Sequence, residues 1–229
     1  MRTIVLWDID QTLLYSGGAG TKGMRRAFRD LYGVGDAFGR LEFSGRTDSA
    51  IFRDEALLQG FDAERIRGEL SRFIDAYIPH LETAMREATG GTLKPGVTGV
   101  LAALEQHDDV LQGLGTGNFR RACESKLRHF EIDAYFPGFV GGFGEGSEYR
   151  PEVIAAGIER LRNGTDPSRI VIIGDTPNDV SAAKANSAFS LGVATGSHSV
   201  EDLLACGADA VLADLSDVDR AVDIIVGDS

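Results

Sequence analysis

The sequence predicts an α/β fold, a doubly wound parallel sheet with a small inserted α-helical cap domain. Three features of its 229 residues carry that expectation. Short apolar runs that do not alternate recur at 4–7 (Ile-Val-Leu-Trp), 110–115 and 170–174, as in strands buried on both faces. Segments with apolar residues at helical spacing separate these runs. One long stretch, 22–88, has helical spacing and no convincing strand.

In chain order, the first strand runs into Asp8-Ile9-Asp10-Gln11-Thr12. Residues 15–20 are too rich in glycine for a strand interior and suit either a hinge or flap beside the first strand or an ordinary loop. The spacing of Met24, Ala27, Phe28 and Leu31, of Ile51, Phe52 and Ala56, and of Ile66, Leu70, Phe73, Ile74, Tyr77 and Leu81 predicts a helical bundle. A composition break at 90–96 marks the return to the main unit. The expected division is therefore a core of 1–15 and 89–229 with a cap of 16–88. Beyond the break the pattern reads as helix 97–106, strand 110–115, helix 119–130 and a glycine-rich loop at 138–146. Pro151 then opens a helix at its first turn. Strand 170–174, a helix starting within 175–179, a strand and turn at 190–196, helix 200–206, strand 208–212 and helix 218–226 complete the chain.

A formal net charge of −12 sets the surface against nucleic acid and anionic membranes. An anionic substrate then needs a local exception: a cation, a few basic side chains or helix N-termini. Cys123 and Cys206 are far apart and offer neither metal-ligand spacing nor a disulfide framework, which fits a reducing cytosol. No apolar run approaches transmembrane length, and the first strand begins almost at Met1, so the expectation is a cytoplasmic, soluble protein.

Residues two apart on a strand share a side, so Asp8 and Asp10 are expected to project together from the carboxyl end of the first strand, where open α/β sheets place their sites. Carboxylates held that close need a cation, a shared proton or a basic partner; alternatively Asp10 or Thr12 caps a turn in a polar loop. Thr116-Gly117-Asn118, between a strand and a helix, suits an oxyanion at a helix N-terminus, or else Thr116 or Asn118 caps that helix. Asp175 at a strand end and Asp179 at a helix start form a second acidic pair; capping explains Asp179 better than Asp175. In Gly45-Arg46-Thr47-Asp48, Thr47 or Asp48 caps the next helix. Arg46 either grips a carboxylate or phosphate with its bidentate fork or stands in solvent. Right-handed crossovers bring the ends at Asp8, Thr116 and Asp175 to one edge. Three or four carboxylates in one crevice call for a divalent cation, and oxygen-only ligands point to Mg²⁺.

These residues together resemble the motifs of the haloacid dehalogenase-like hydrolase superfamily, in the subgroup with a helical cap after the first strand. Asp8-Ile9-Asp10-Gln11-Thr12 resembles its first motif, Thr116 its second, Arg150-Pro151 stands where Lys-Pro is usual, and 174–179 (Gly-Asp-Thr-Pro-Asn-Asp) resembles the fourth. The resemblance implies a Rossmann-like core and a phosphatase. Asp8 would be the nucleophile that forms an aspartyl-phosphate, and Asp10 the acid and then the base. Mg²⁺ would bind Asp8, the backbone carbonyl of Asp10, and Asp175, with Asp179 nearby. Thr116, Gly117 and Asn118 would hold the phosphoryl oxygens, with Thr12 beside them as part of the first motif. Arg150 or Lys126, or both, would supply positive charge. The Gly-Arg-Thr-Asp stretch is similar to one in caps of phosphoglycolate-phosphatase-like members, which hints at a substrate contact for Arg46. Gln11 stands where the family usually has glycine, and Arg150 where it usually has lysine. The implied substrate is a small phosphorylated metabolite. A sugar phosphomutase retains both aspartates and stays open as the alternative, as does, more remotely, a non-catalytic phosphoacceptor or binding protein.

Overall fold

The computed structural model describes residues 2–164 and 166–227; Met1, Thr165, Asp228 and Ser229, which fall in the expected core range, lie outside the described residues. The elements in order are β1 (Thr3–Trp7), β2 (Leu14–Tyr15), α1 (Ala19–Tyr32), α2 (Asp48–Leu58), α3 (Ala63–Glu87), β3 (Thr92–Leu93), α4 (Val97–Glu105), β4 (Val110–Gly115), α5 (Arg120–His129), β5 (Gly141–Gly142), α6 (Arg150–Arg162), β6 (Arg169–Gly174), α7 (Pro177–Ala185), β7 (Phe189–Val193), α8 (Val200–Ala205), β8 (Ala210–Leu212) and α9 (Val218–Val226). Six strands form one parallel sheet in the order β5-β4-β1-β6-β7-β8.

The alternation of side chains along β1 explains the double winding. Val5 and Trp7 join a cluster with Val97, Leu101 and Leu104 of α4 and Ala221 and Ile225 of α9. Ile4 and Leu6 face the other way, onto Ile154 and Ile158 of α6 and Ala182 and Ala183 of α7. Both faces of the strand are thus apolar, and its sequence runs without alternation for that reason.

Helices α1 to α3 bury a separate cluster, centred on Phe28, Phe52 and Phe73. Phe52 and Phe73 stack at 4.5 Å between ring centroids, and Phe38 meets Phe28 edge-on at 5.3 Å. Phe119 and Ala122, at the start of α5, belong to this same cluster, so α5 is where the helical unit rests on the sheet-bearing one.

Two strand pairs differ from expectation. The glycine-rich loop expected at 138–146 contains β5, which pairs with β4. A Cβ on Gly141 would stand 2.1 Å from the Leu114 carbonyl oxygen, and one on Gly142 1.8 Å from that of Val153. The strand needs residues without side chains, so it carries no apolar signal. Leu14–Tyr15 pairs antiparallel with Thr92–Leu93, a two-residue ribbon joining the exit and re-entry of the insert. Gly17 and Gly18 follow it with φ of +65° and +76°, a left-handed corner open to glycine that turns the chain into α1.

Candidate active site

Trp7 pairs with Leu114 on one side and with Ile173 on the other. Asp8, Thr116 and Asp175 therefore leave neighbouring strand ends together, at the reversal of strand order. The Asp8 amide donates to the Ile173 carbonyl at 2.9 Å, which fixes its backbone. Asp8 Oδ1 accepts from Arg150 Nη2 at 2.7 Å, and the same nitrogen reaches Asp179 Oδ1 at 2.6 Å and the Gly115 carbonyl at 3.1 Å. Asp179 Oδ2 accepts from the Thr176 amide and hydroxyl at 3.1 and 2.7 Å, closing the capping box of α7. Capping and the acidic cluster thus use the two oxygens of one carboxylate. Gly174 makes room for it, since a Cβ there would stand 2.2 Å from Asp179 Cγ.

Asp175 is buried, and its Oδ1 accepts from the Thr12 hydroxyl at 3.2 Å. Burial raises the Asp8 carboxyl, with Arg150 opposing and Asp179 reinforcing. Burial, then the charges of Asp8 and Asp179, push Asp175 up to about 8. Arg150 stays charged despite its burial because Asp179 and Asp8 hold the proton on it. Three buried carboxylates have one oxygen each within 4.8 Å of the others, and two of them, Asp8 and Asp179, share this single guanidinium.

The second cation sits elsewhere. Lys126, from α5, is fully buried and donates to Asp10 Oδ2 and to Asn118 Oδ1, each at 2.5 Å. Burial works against its charge, while Asp10 and Asp48 keep it protonated. The two basic residues weighed in the sequence therefore serve different carboxylates of the first loop. All of this opens on a cavity of about 300 Å³ whose wall includes Asp8, Asp10, Asn118, Lys126, Arg150 and Asp175.

A model of the family described as haloacid dehalogenase-like hydrolase matches residues 3–186. This chain belongs to that family. No curated protein matches it. A hydrolase from Pseudomonas syringae is 18% identical with a TM-score of 0.71, the match covering 98% of this chain and 99% of that one. A structure from Clostridium acetobutylicum, described as a predicted phosphatase, is 22% identical with a TM-score of 0.66 and 99% of both chains covered. CbbY from Rhodobacter sphaeroides, in complex with phosphate, is 20% identical with a TM-score of 0.63, over 95% of this chain and 96% of that one. At these identities the likeness is one of fold.

The haloacid dehalogenase-like residues expected at the site are brought together, with three differences in detail. Thr12, expected beside the phosphate, is fully buried behind the cavity wall and bonds Asp175. The Thr116 hydroxyl accepts from the Asn118 amide and side chain at 3.3 and 3.0 Å, which leaves its own proton to donate. The N-terminus of α5, expected to offer free N–H groups or to be capped by Thr116 or Asn118, is instead met by carboxylates. The Phe119 amide donates to Asp48 at 2.8 Å and the Arg120 amide to Glu145 at 2.8 Å.

Across the cavity, the loop before α2 docks onto the core. The Asp48 amide donates to the Gly117 carbonyl at 2.7 Å, the Thr47 hydroxyl to the Glu148 carbonyl at 3.1 Å, and Asn178 to the Gly45 carbonyl at 2.9 Å. A Cβ on Gly117 would stand 2.2 Å from the Arg46 carbonyl oxygen, so this close approach needs glycine. Thr47, of the two expected candidates, caps α2 by accepting from Ala50 at 3.2 Å. Arg46 lines the cavity, but its guanidinium pairs with Asp54 and the Glu42 carbonyl. Asp48 and Tyr77 line the same wall, although their sequence positions are those of a helix cap and an apolar helix face. No local signal distinguishes them; only the tertiary fold turns them inward. Gln11 explains its own departure: it adopts φ +67°, the conformation that glycine takes without cost, and it borders the cavity.

The fold family implies a divalent metal ion, and the acidic cluster fits one. The Asp8, Asp175 and Asp179 carboxylates are all buried hard oxygen donors with one oxygen of each within 4.8 Å of the others, and Arg150 pairs with Asp8 and Asp179 but makes no ion pair with Asp175. Among the described residues no helix is long and apolar enough to cross a membrane.

Proposed function

We propose that this protein is a Mg²⁺-dependent phosphatase that hydrolyses a small phosphomonoester metabolite through an aspartyl-phosphate on Asp8, in the cytoplasm. The observation that supports it best is the unlike treatment of two carboxylates two residues apart. Asp8 is buried beside Arg150, whereas the Asp10 side chain is 40% exposed and bonded to Lys126.

In this reading Asp8 and Asp175 hold Mg²⁺ together with the Asp10 carbonyl, while Asp179 acts mainly through Arg150. The ion, when bound, withdraws charge from the phosphoryl oxygens and offsets the crowded carboxylates. Arg150 fixes Asp8 Oδ1, which leaves Oδ2 to attack phosphorus opposite the ester oxygen. As the Oδ2–P bond forms, the P–O ester bond breaks, and Asp10 gives its proton to the leaving oxygen. Asp10, now a carboxylate, takes a proton from the water that attacks the same phosphorus. The acyl-phosphate bond breaks, inorganic phosphate leaves and Asp8 is restored. Lys126 orients Asp10 for both transfers. The Gly117 amide and Arg150 line the cavity and face the phosphoryl charge, while Thr116 acts from behind the wall, where it holds the Asn118 amide and side chain. Residues 16–88 act as a cap that closes the cavity from water, over a core of 1–15 and 89–229.

The test is phosphate release from a panel of small phosphomonoesters with Mg²⁺, before and after metal removal by EDTA. Release that stops with EDTA and returns with Mg²⁺ is expected. No release from any ester, with interconversion of a sugar 1-phosphate instead, would move the assignment to a phosphomutase.

A further inference from the structure

The cavity wall opposite the reacting carboxylates has a chemistry of its own. Within it, Asp48 and Arg46 are the charged residues contributed by the helical insert. Arg46 is already neutralised: it pairs with Asp54, Asp54 also pairs with Arg53, and Arg53 pairs with Glu148, two cations against two anions. Asp48 is buried and uses only Oδ2, which accepts from the Phe119 amide; Oδ1 has no hydrogen-bond partner among the described residues.

Around Asp48 the wall is hydroxylic. Tyr77 is 1% exposed, its hydroxyl has no hydrogen-bond partner among the described residues, and it borders the cavity. A methyl group on Gly20 would stand 3.6 Å from that hydroxyl and 3.9 Å from Lys126 Nζ. The phenol and the amine that holds Asp10 therefore both flank Gly20 of α1. Ser16, Thr21 and Ser44 add further hydroxyl groups, and Met24 and Ile51 supply apolar surface.

Resting on the phosphatase reading, we propose that Asp48 and Tyr77 select a phosphomonoester whose leaving group is a small neutral polyhydroxy alcohol, and that they reject esters carrying a second anionic group. The Asp48 oxygen left free on the cavity wall, in its ionised form, takes a hydroxyl donor and repels a second carboxylate. The Tyr77 hydroxyl accepts from or donates to a neighbouring hydroxyl. No unpaired cation stands on that wall among the described residues to receive a second negative charge. A volume of about 300 Å³, shared with the phosphoryl group, suits a small-molecule alcohol.

The experiment, at pH 8 where Asp48 is ionised, compares glycerol 1-phosphate with 3-phosphoglycerate, which differ mainly in a hydroxymethyl against a carboxylate. Phosphate release gives kcat/KM for each, and titration calorimetry gives Kd for each on the Asp8→Asn variant with Mg²⁺. Wild type is expected to favour glycerol phosphate at least tenfold in kcat/KM, and the Asp8→Asn protein to favour it similarly in Kd. Asp48→Asn keeps an oxygen for the Phe119 amide and is expected to shrink the ratio several-fold; Tyr77→Phe should weaken glycerol phosphate binding more than phosphoglycerate binding. Equal affinity for both esters, a preference for phosphoglycerate, or a ratio that Asp48→Asn and Tyr77→Phe leave unchanged would overturn the proposal. Discriminating binding without phosphate release from either ester would instead overturn the phosphatase reading and leave this selection standing.

Discussion

The floor and the roof of the cavity are built on opposite principles. The floor, at the strand ends, concentrates charge: Asp8, Asp175 and Asp179 crowd together, Asp8 and Asp179 on one guanidinium, and every one of these side chains is held by a neighbour. The roof, from the helical insert, carries one carboxylate, hydroxyls and apolar side chains, and its cation is spent on Asp54. The floor is costly to assemble and gives rigid chemistry; the roof leaves groups unpartnered, ready for a substrate. Reaction and selectivity are thereby separated into different parts of the chain.

The comparison is sharpened first at Asp10, which belongs to the floor but looks toward the roof. Asp10→Asn should lower turnover about 100- to 10,000-fold, the usual worth of a positioned proton donor. Steady-state phosphate release measures it, and wild-type turnover would remove Asp10 from proton transfer.

Arg150 tests whether the floor is held by its charge. Arg150→Met leaves the Asp8 and Asp179 carboxylates buried without their partner and should cost about 3–5 kcal/mol in the metal-free protein. Urea unfolding gives the number. An unchanged midpoint would mean that the carboxylates do not depend on Arg150.

A smaller effect is expected from the roof. Burial, opposed by Lys126 and the Phe119 amide, raises Asp48 to about 7. The folded chain therefore keeps a proton there that the unfolded chain releases near pH 4. That contribution to stability is present below pH 4 and is lost as pH rises toward 7, after which it is flat. Asp48→Asn lacks this loss, so its stability relative to wild type should be greater at pH 8 than at pH 5, by an amount of the order of a few kcal/mol. Urea unfolding at both values checks the sign, and an offset that is the same at both would contradict a raised Asp48.

The floor was legible in the sequence because it follows from local rules. An apolar run ending in Asp8, another ending in Asp175 and a third ending before Thr116 are strand ends, and parallel strands put their ends together. The strand β5 was hidden because tight packing against Leu114 and Val153 demands glycine and erases the apolar pattern. Thr12 is buried because its hydroxyl serves Asp175 across 163 residues of chain, a pairing that no local pattern carries. The roof was illegible for a related reason: Tyr77 at helical spacing looks like core, and Asp48 at a helix start looks like a cap. Gln11 lies between these cases, since its departure from glycine was visible but its left-handed backbone was not.

The central claim is that Asp8 carries the phosphoryl group. Acid quenching during turnover of a phosphomonoester with Mg²⁺, followed by peptide mass spectrometry, tests it most directly. The account predicts one added phosphoryl group on the peptide containing Asp8, absent in Asp8→Asn, which should release no phosphate. Undiminished phosphate release by Asp8→Asn, or a phosphoryl group mapped to another residue, would contradict it.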